Sequence, residues 1–414
     1  MITFADVEQA RKRIRESVYL TPCAYSETLS KRTGTKCWLK LENLQMTGSF
    51  KERGACNKLM SLTADERMKG VICASAGNHA QGVAYHAARL GIRATIVMPE
   101  ATPLNKLQST RDLGGSVVDI LLHGAGYDDA FEEARRIQSR QGSIFVHPFD
   151  DDLVMAGQGT IGLELMEQNP YLEAVVVAVG GGGLIAGVAT AIKETNPRIK
   201  IYGVETLAIA SMKEALRQGK PVTLPPARTI AEGIAVRRAG ELTLAVVKKY
   251  VDDIVLVDEE EIAEAILTLL EKEKTVAEGA GAAPLAALLH DRLPLKDKKV
   301  AVIVCGGNID VNVVSRIIER GLVKSGRMVR LHVRIPDVTG SLAKLTALIA
   351  TSRANIVQIH HERTFAETNL NETIVELVLE TRGWDHVAEL EAALSTAGHR
   401  IERSGGAKET RRVP

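Results

Sequence analysis

No stretch of the 414-residue sequence is apolar for long enough to cross a bilayer. The opening residues, MITFADVEQARKRIRESV, are charged and amphipathic, without the apolar run of a signal peptide. A cytosolic protein is expected. Cysteine is scarce and odd in number (Cys23, Cys37, Cys56, Cys73 and Cys305), and no C-x-x-C pair occurs, which argues against a disulfide framework or a zinc site and for free thiols. Neither sign of charge dominates. With 52 Lys plus Arg against 51 Asp plus Glu and no recurring basic block, nucleic acid and anionic membranes are poor candidates as partners. Repeats and low-complexity tracts are missing too. What is present is an average apolar content and enough chain for two or three buried cores, so small molecules are the expected partners.

Between about 70 and 310, short β-branched runs alternate with longer helical patterns: GVICAS, ATIVMP, GSVVDILL, SIFVHP, AVVVAVG, KIYGVE, DIVLVD and VAVIVCG. Runs without strict alternation suit strands buried on both faces, and intervening helices suit crossovers, so a parallel α/β sheet system is predicted. Ligands in such sheets bind at the carboxyl ends of strands. Unusual residues sit at four of those ends: SAGNH (75–79), HPFDD (147–151), GGGGL (180–184) and CGGN (305–308). After Ile318 a polar junction, RGLVKSGR, leads into a βαββαβ order of ~75 residues, a ferredoxin-like module.

Each motif admits a plain and a chemical reading. In TGSFKERGA, Ser49 and Glu52 have capping-box spacing, which makes Ser49 the predicted N-cap and puts Lys51 in the first helical turn. A cation there has the wrong sign for the helix dipole, which would lower its pKa and favour a free amine able to form a Schiff base. Plainly read, it is a surface lysine. GGGGL, between an apolar strand and a small-residue helix, aims backbone N–H groups at a phosphate. It lacks a Walker lysine, yet Gly181, Gly183 and Ala186 also fit a loose dinucleotide fingerprint, with Glu205 as its ribose-binding acid. Ser75, Asn78 and His79 could hold a carboxylate or merely cap a helix. Cys305, ending an apolar strand, is by itself a small buried hydrophobe.

Taken together, TGSFKERGA, SAGNHAQGVA, AGQGTIGLE and VGGGGLIAG closely resemble the fold type II pyridoxal-phosphate enzymes, and within them the threonine dehydratases, over essentially the whole chain. The resemblance implies that Lys51 carries the cofactor as a Schiff base, Phe50 flanks its ring, and Asn78 bonds its 3-hydroxyl. It further implies that Gly180, Gly181, Gly182, Gly183 and Leu184 cradle its phosphate and that Cys305 faces its ring nitrogen. The implied reaction is β-elimination and deamination of L-threonine, and of L-serine, to a 2-oxo acid and ammonia. A serine or 3-hydroxyaspartate dehydratase would share every motif. Serine racemases of this fold carry serine where this chain has Ala76, which demotes that alternative. Metal-dependent relatives pair an acid near Glu205 with another six residues on, where Ser211 stands, so no metal is expected.

The C-terminal module resembles an ACT domain, a ferredoxin-like unit that binds free amino acids. Its first turn, PDVTGSLAKL, places Asp337, Gly340, Ser341 and Leu342 for an effector's ammonium and carboxylate, with Asn355 closing the site from a neighbouring domain. A branched-chain amino acid, isoleucine or valine, is the effector the resemblance suggests. The expected organisation is a catalytic domain at 1–320, with a small subdomain at about 50–146 inserted in a larger one. A linker at 321–327, an ACT domain at 328–405 and a tail at 406–414 follow, the whole forming a homo-oligomer, dimer or tetramer. A non-catalytic amino-acid sensor is the rival of a different class.

Overall fold

The computed structural model describes residues 1–363 and 369–403; the tail expected at 406–414 lies outside them. The chain divides into two compact units, Met1–Asp310 and a second beginning at Val311, ahead of the junction expected at 321–327.

After helix Phe4–Ile14 the first unit enters its large sheet with β1 (Cys23–Ser26) and β2 (Lys36–Lys40). It then leaves for a small sheet made of β3 (Val71–Ala74), β4 (Ala94–Met98), β5 (Val118–Leu122) and β6 (Ile144–Phe145). It returns as β7 (Ala174–Ala178), β8 (Lys200–Thr206), β9 (Asp253–Val257) and β10 (Lys299–Ile303). The small sheet is parallel with order β5-β4-β3-β6. The large one has order β1-β2-β10-β7-β8-β9 and is parallel except for the β1–β2 pair. Central β7 is buried along its whole length, which is why AVVVA shows no alternation. The run GSVVDILL departs from expectation: β5 is a largely exposed edge strand, not one buried on both faces.

Helix Lys51–Met60 is held against the body by polar as well as apolar contacts. Arg53, fully buried, bonds Glu42 at 2.7 Å and Glu164 at 2.6 Å, and Lys40 joins through Glu164 at 2.6 Å. The glycines of AGQGTIGLE and VGGGGLIAG let two further helices, Asp152–Gln168 and Gly183–Lys193, nearly touch. A Cβ on Gly159 would lie 2.8 Å from the Gly187 carbonyl oxygen.

The second unit begins with helix Val311–Lys324 and continues as β11 (Met328–Pro336), helix Ser341–Thr351, β12 (Asn355–Glu362), β13 (Glu372–Glu380), helix Trp384–Thr396 and β14 (Arg400–Arg403). Its antiparallel sheet has order β12-β13-β11-β14, the ferredoxin-like arrangement. Leu331, Val333, Leu345, Ile349, Leu377 and Leu390 form its core.

Candidate active site

Lys51 is the first residue of its helix, but the capping box expected from Ser49 and Glu52 does not form: Phe50 precedes the helix and no side chain caps it. The serine backbone is drawn instead into a bridge with Gly306. The Phe50 N–H donates to the Cys305 carbonyl at 3.0 Å, and the Gly307 N–H to the Gly48 carbonyl at 2.9 Å. Glu52 turns back to accept the Thr47 N–H at 2.9 Å. Pairing with CGG thus satisfies the turn that a serine cap would otherwise stabilise. Lys51 Nζ donates to the Pro148 carbonyl at 2.7 Å. Burial pulls its amine down to about 8, against the opposing influence of Cys305 and Glu278.

The HPFDD segment supplies that carbonyl and also shapes the glycine loop. Asp150 accepts the amides of Glu241, Leu242 and Thr243 at 2.9–3.1 Å, fixing helix Glu241–Tyr250, whose Thr243 hydroxyl donates to the Gly181 carbonyl at 2.7 Å. Phe149 lies against the other side. A Cβ on Gly181 would sit 2.4 Å from its ring, and one on Gly183 2.9 Å from its backbone. The loop is therefore glycine because it is clamped on both sides. Among the described residues nothing accepts from the amides of Gly180 to Leu184, and the N-terminus of helix Gly183–Lys193 opens there. Unpaired donors at a helix start are what a phosphate monoester requires. An amine near neutrality and this cradle fit pyridoxal phosphate.

Helix Asn78–Leu90 begins at the same cleft. Asn78 donates to Glu278 at 2.8 Å and accepts from Asn308 at 2.8 Å, while the Ser75 hydroxyl accepts the Gly77 N–H at 3.2 Å. The His79 side chain does not join them: its Nε2 lies 2.9 Å from the Val146 carbonyl, and burial lowers its pKa to about 3. Only its backbone amide remains for a carboxylate, because the ring turns into the core. Cys305 is buried and its thiol is pushed well above the ordinary range, so it is a neutral weak donor. Phe50, Lys51, Ser75, Ala76, Asn78, Gly180 and Glu278 are all half-buried amid buried neighbours, as residues lining a cleft should be.

Glu278 is a cleft residue that sequence reasoning missed, with only the signal of an acid heading a small-residue helix, GAGAAPLAALL; Asn308 closes CGGN but carried no role of its own. Glu205 goes elsewhere. Its two oxygens accept the amides of Met212 and Lys213 at 2.8 and 2.9 Å, capping helix Ser211–Gln218, and burial raises its pKa to about 7. That removes the acid from the dinucleotide reading and leaves it a strand-end residue.

In the second unit, Gly340 (φ 89°) starts helix Ser341–Thr351, and Asp337 is ion-paired with Arg363. Asn355, bonded to Glu380 at 2.9 Å, is not brought near Asp337. Its neighbour across the sheet, Glu380, pairs with Met328, whereas Asp337 follows Pro336 at the far end of β11, about 27 Å along the strand.

Residues 14–306 match the model of the pyridoxal-phosphate dependent enzyme family, and the chain belongs to that family. Within it, the chain is 50% identical to the L-threonine ammonia-lyase of Thermotoga maritima, over 98% of this chain and 100% of the relative. It is 46% identical to the L-threonine ammonia-lyase of Geobacter sulfurreducens, over 97% and 99%. Among solved structures, the processed form of threonine deaminase isoform 2 from Solanum lycopersicum superposes with a TM-score of 0.71 at 39% identity, covering 76% of this chain and 93% of that one.

Proposed function

We propose that the first unit is an L-threonine ammonia-lyase, converting L-threonine, and L-serine more generally, to the 2-oxo acid and ammonia. The observation that carries this is the Lys51 amine, lowered to about 8 and held by the Pro148 carbonyl, next to the Phe149 that packs on a glycine loop whose amides have no acceptor among the described residues. The near-full-length identity to two L-threonine ammonia-lyases supports the substrate class. When bound, pyridoxal phosphate supplies the electron sink that weakens the Cα–H bond and lets a β-hydroxyl leave.

The chain's own residues account for the rest. The amides of Gly180 to Leu184 would hold the phosphate, and Phe50 would flank the ring. Lys51, whose ordinary pKa would leave it almost wholly charged, has an appreciable neutral fraction at pH 7–8, so it serves as nucleophile and then as base for the α-proton. The Pro148 carbonyl holds Nζ at the cleft wall between these roles. Cys305, kept as a neutral thiol by burial, would offer the cofactor's ring nitrogen only a weak donor in place of a carboxylate, which would favour elimination of the β-hydroxyl. Ser75 and the first amides of helix Asn78–Leu90 receive the substrate carboxylate. Ala76 offers no acid on the face opposite Lys51, so elimination is favoured over racemisation.

The second unit is, in this reading, an ACT domain that binds a branched-chain amino acid beside Asp337 and Gly340. The whole is a cytosolic homo-oligomer in which a neighbouring copy brings Asn355 to that site. The test is the visible spectrum of the purified protein before and after borohydride, with relative turnover of threonine, serine and 3-hydroxyaspartate. A yellow protein whose reduced cofactor stays on the Lys51 peptide and which prefers threonine is expected. A colourless protein that still binds amino acids would favour the sensor, and a preference for 3-hydroxyaspartate would reassign the substrate.

A further inference from the structure

One half-buried acid in the cleft has no part in the chemistry above. Glu278 precedes helix Gly279–Leu289 but does not cap it. Its backbone N–H donates to the Gly306 carbonyl at 3.0 Å, and its Oε1 accepts from Asn78 Nδ2 at 2.8 Å. Its carboxyl is tightly enclosed. A Cβ on Gly306 would lie 2.4 Å from Glu278 Oε1 and 3.2 Å from Asn78 Nδ2, and one on Gly233 would lie 3.2 Å from the same Oε1. The middle residue of CGG is thus glycine to make room for the Glu278–Asn78 pair.

Beyond Asn78 the contacts continue. Asn308 Nδ2 lies 2.8 Å from Asn78 Oδ1, 2.8 Å from the Thr47 carbonyl and 3.1 Å from Gln81 Oε1. Asn78 Oδ1 is therefore taken by a donor and one Nδ2 hydrogen by an acceptor. The amide cannot turn over without setting like groups against each other at both ends, and the one hydrogen left over is the second on Nδ2.

We propose that Glu278 is a positioning residue for the cofactor: it fixes the Asn78 amide so that its free N–H, not its carbonyl, is offered to the ring oxygen. The inference rests on the assignment of the cleft to pyridoxal phosphate. The groups facing the carboxyl are the Asn78 amide, the Lys51 amine, the Cys305 thiol and the ion-paired Lys106 and Glu232. Burial raises the Glu278 pKa to about 7, so its acceptor strength changes within the working range of the enzyme. Below that pH the carboxyl is neutral and its hold on the Asn78 N–H weakens; above it the bond is charge-assisted.

The experiment uses full-length protein, stripped of cofactor and reloaded with pyridoxal phosphate, as wild type, Glu278→Gln and Glu278→Ala. Cofactor affinity and the pH dependence of the visible absorption band are measured. Wild type should show a spectral transition near pH 7. Glu278→Gln, which keeps a carbonyl acceptor and loses the titration, should bind within about threefold of wild type with that transition gone. Glu278→Ala should bind about tenfold or more weakly, the worth of a charge-assisted hydrogen bond, and should have no further effect in an Asn78→Ala background. If Glu278→Ala does not fold, the Glu278→Gln spectrum decides alone. An unchanged pH transition in Glu278→Gln would overturn the proposal, as would effects of Glu278→Ala and Asn78→Ala that simply add. Failure of borohydride to fix the cofactor on wild-type Lys51 would instead overturn the functional reading beneath it.

Discussion

Lys51 Nζ and the Pro148 carbonyl oxygen, 2.7 Å apart, join two segments separated by almost a hundred residues at the wall of one cleft. A carbonyl accepts from an ammonium and from a neutral amine alike, so it holds the nitrogen in place while its protonation changes. Lys51→Ala should lose threonine turnover by about three orders of magnitude or more, because nucleophile and base are removed together. It should also lose borohydride-fixed cofactor, and a variant that stays active would remove Lys51 from the chemistry.

Ala76 predicts the stereochemical outcome. With no hydroxyl on the face opposite Lys51, L-serine should yield pyruvate and ammonia with negligible D-serine. Ala76→Ser should introduce measurable racemisation. Chiral analysis of the product mixture is the check, and abundant D-serine from the unmodified protein would mean that another group supplies the second proton.

Much of this cleft was legible in the sequence because strand-end motifs carry their chemistry in residue type. SAGNH, HPFDD, GGGGL and CGGN do meet: Phe149 lies on Gly181, Pro148 receives Lys51, and Gly306 abuts Asn78. The eight β-branched runs all became strands. β1 and β2 escaped notice because CAYS and KCWLK are short and carry polar or charged residues, and the pairing of β2 with β10 is settled only by tertiary contact. Glu278, and the role of Asn308 within CGGN, escaped for a related reason. A single polar residue reveals nothing until its partner, two hundred or more residues away for each in Asn78, is known. The Ser49–Glu52 spacing misled because a local rule lost to backbone pairing with Gly306.

Arg53, two residues beyond Lys51, tests how the catalytic helix is held. Its guanidinium is fully buried between Glu42 and Glu164. Arg53→Met would leave both carboxylates without their main partner, and should cost about 3–5 kcal/mol in urea unfolding of the cofactor-free protein. A loss below about 1 kcal/mol would show that Lys40 alone satisfies Glu164, and that the cluster adds little to stability.

Acid should destabilise the first unit through its neutral histidines. His79 and His86 are buried, and burial lowers both to about 3 from an ordinary 6.5. Down to about 4.5 the carboxyls of Glu205 and Glu278, raised to about 7, take up protons in the folded chain and offset the two rings. Below that the unfolded chain binds more protons than the folded one, so stability falls as pH drops from 4.5 toward 3. The slope is about 1.4 kcal/mol per pH unit for each ring. Urea midpoints of the cofactor-free protein across that range should show it, and His86→Gln should flatten it. An unaltered slope would assign the acid sensitivity to other groups.

Regulation is the last expectation, and the geometry of the second unit sharpens it. Asp337, the proposed receiver of an effector's ammonium, is already engaged by Arg363. A ligand must therefore displace that cation or share the carboxylate with it, and Arg363→Ala should tighten or leave unchanged the binding of a branched-chain amino acid, whereas Asp337→Ala should abolish it. Asn355 lies at the opposite end of the sheet, so within one chain it cannot close this site. Asn355→Ala should weaken binding only if copies of the module pair, which makes the oligomeric state part of the same measurement. The chain should be cut after Asp310, where its contacts divide, since a cut near Lys324 would leave helix Val311–Lys324 without the unit it belongs to. An effector shifts activity only by its differential affinity for two states, typically about 1–3 kcal/mol, so a five- to hundred-fold change in threonine turnover is the expected range. Calorimetry with isoleucine and valine on full-length and shortened protein, alongside turnover, decides the matter. Binding that survives removal of residues beyond 310 would place the effector site in the first unit and leave the second as a structural module.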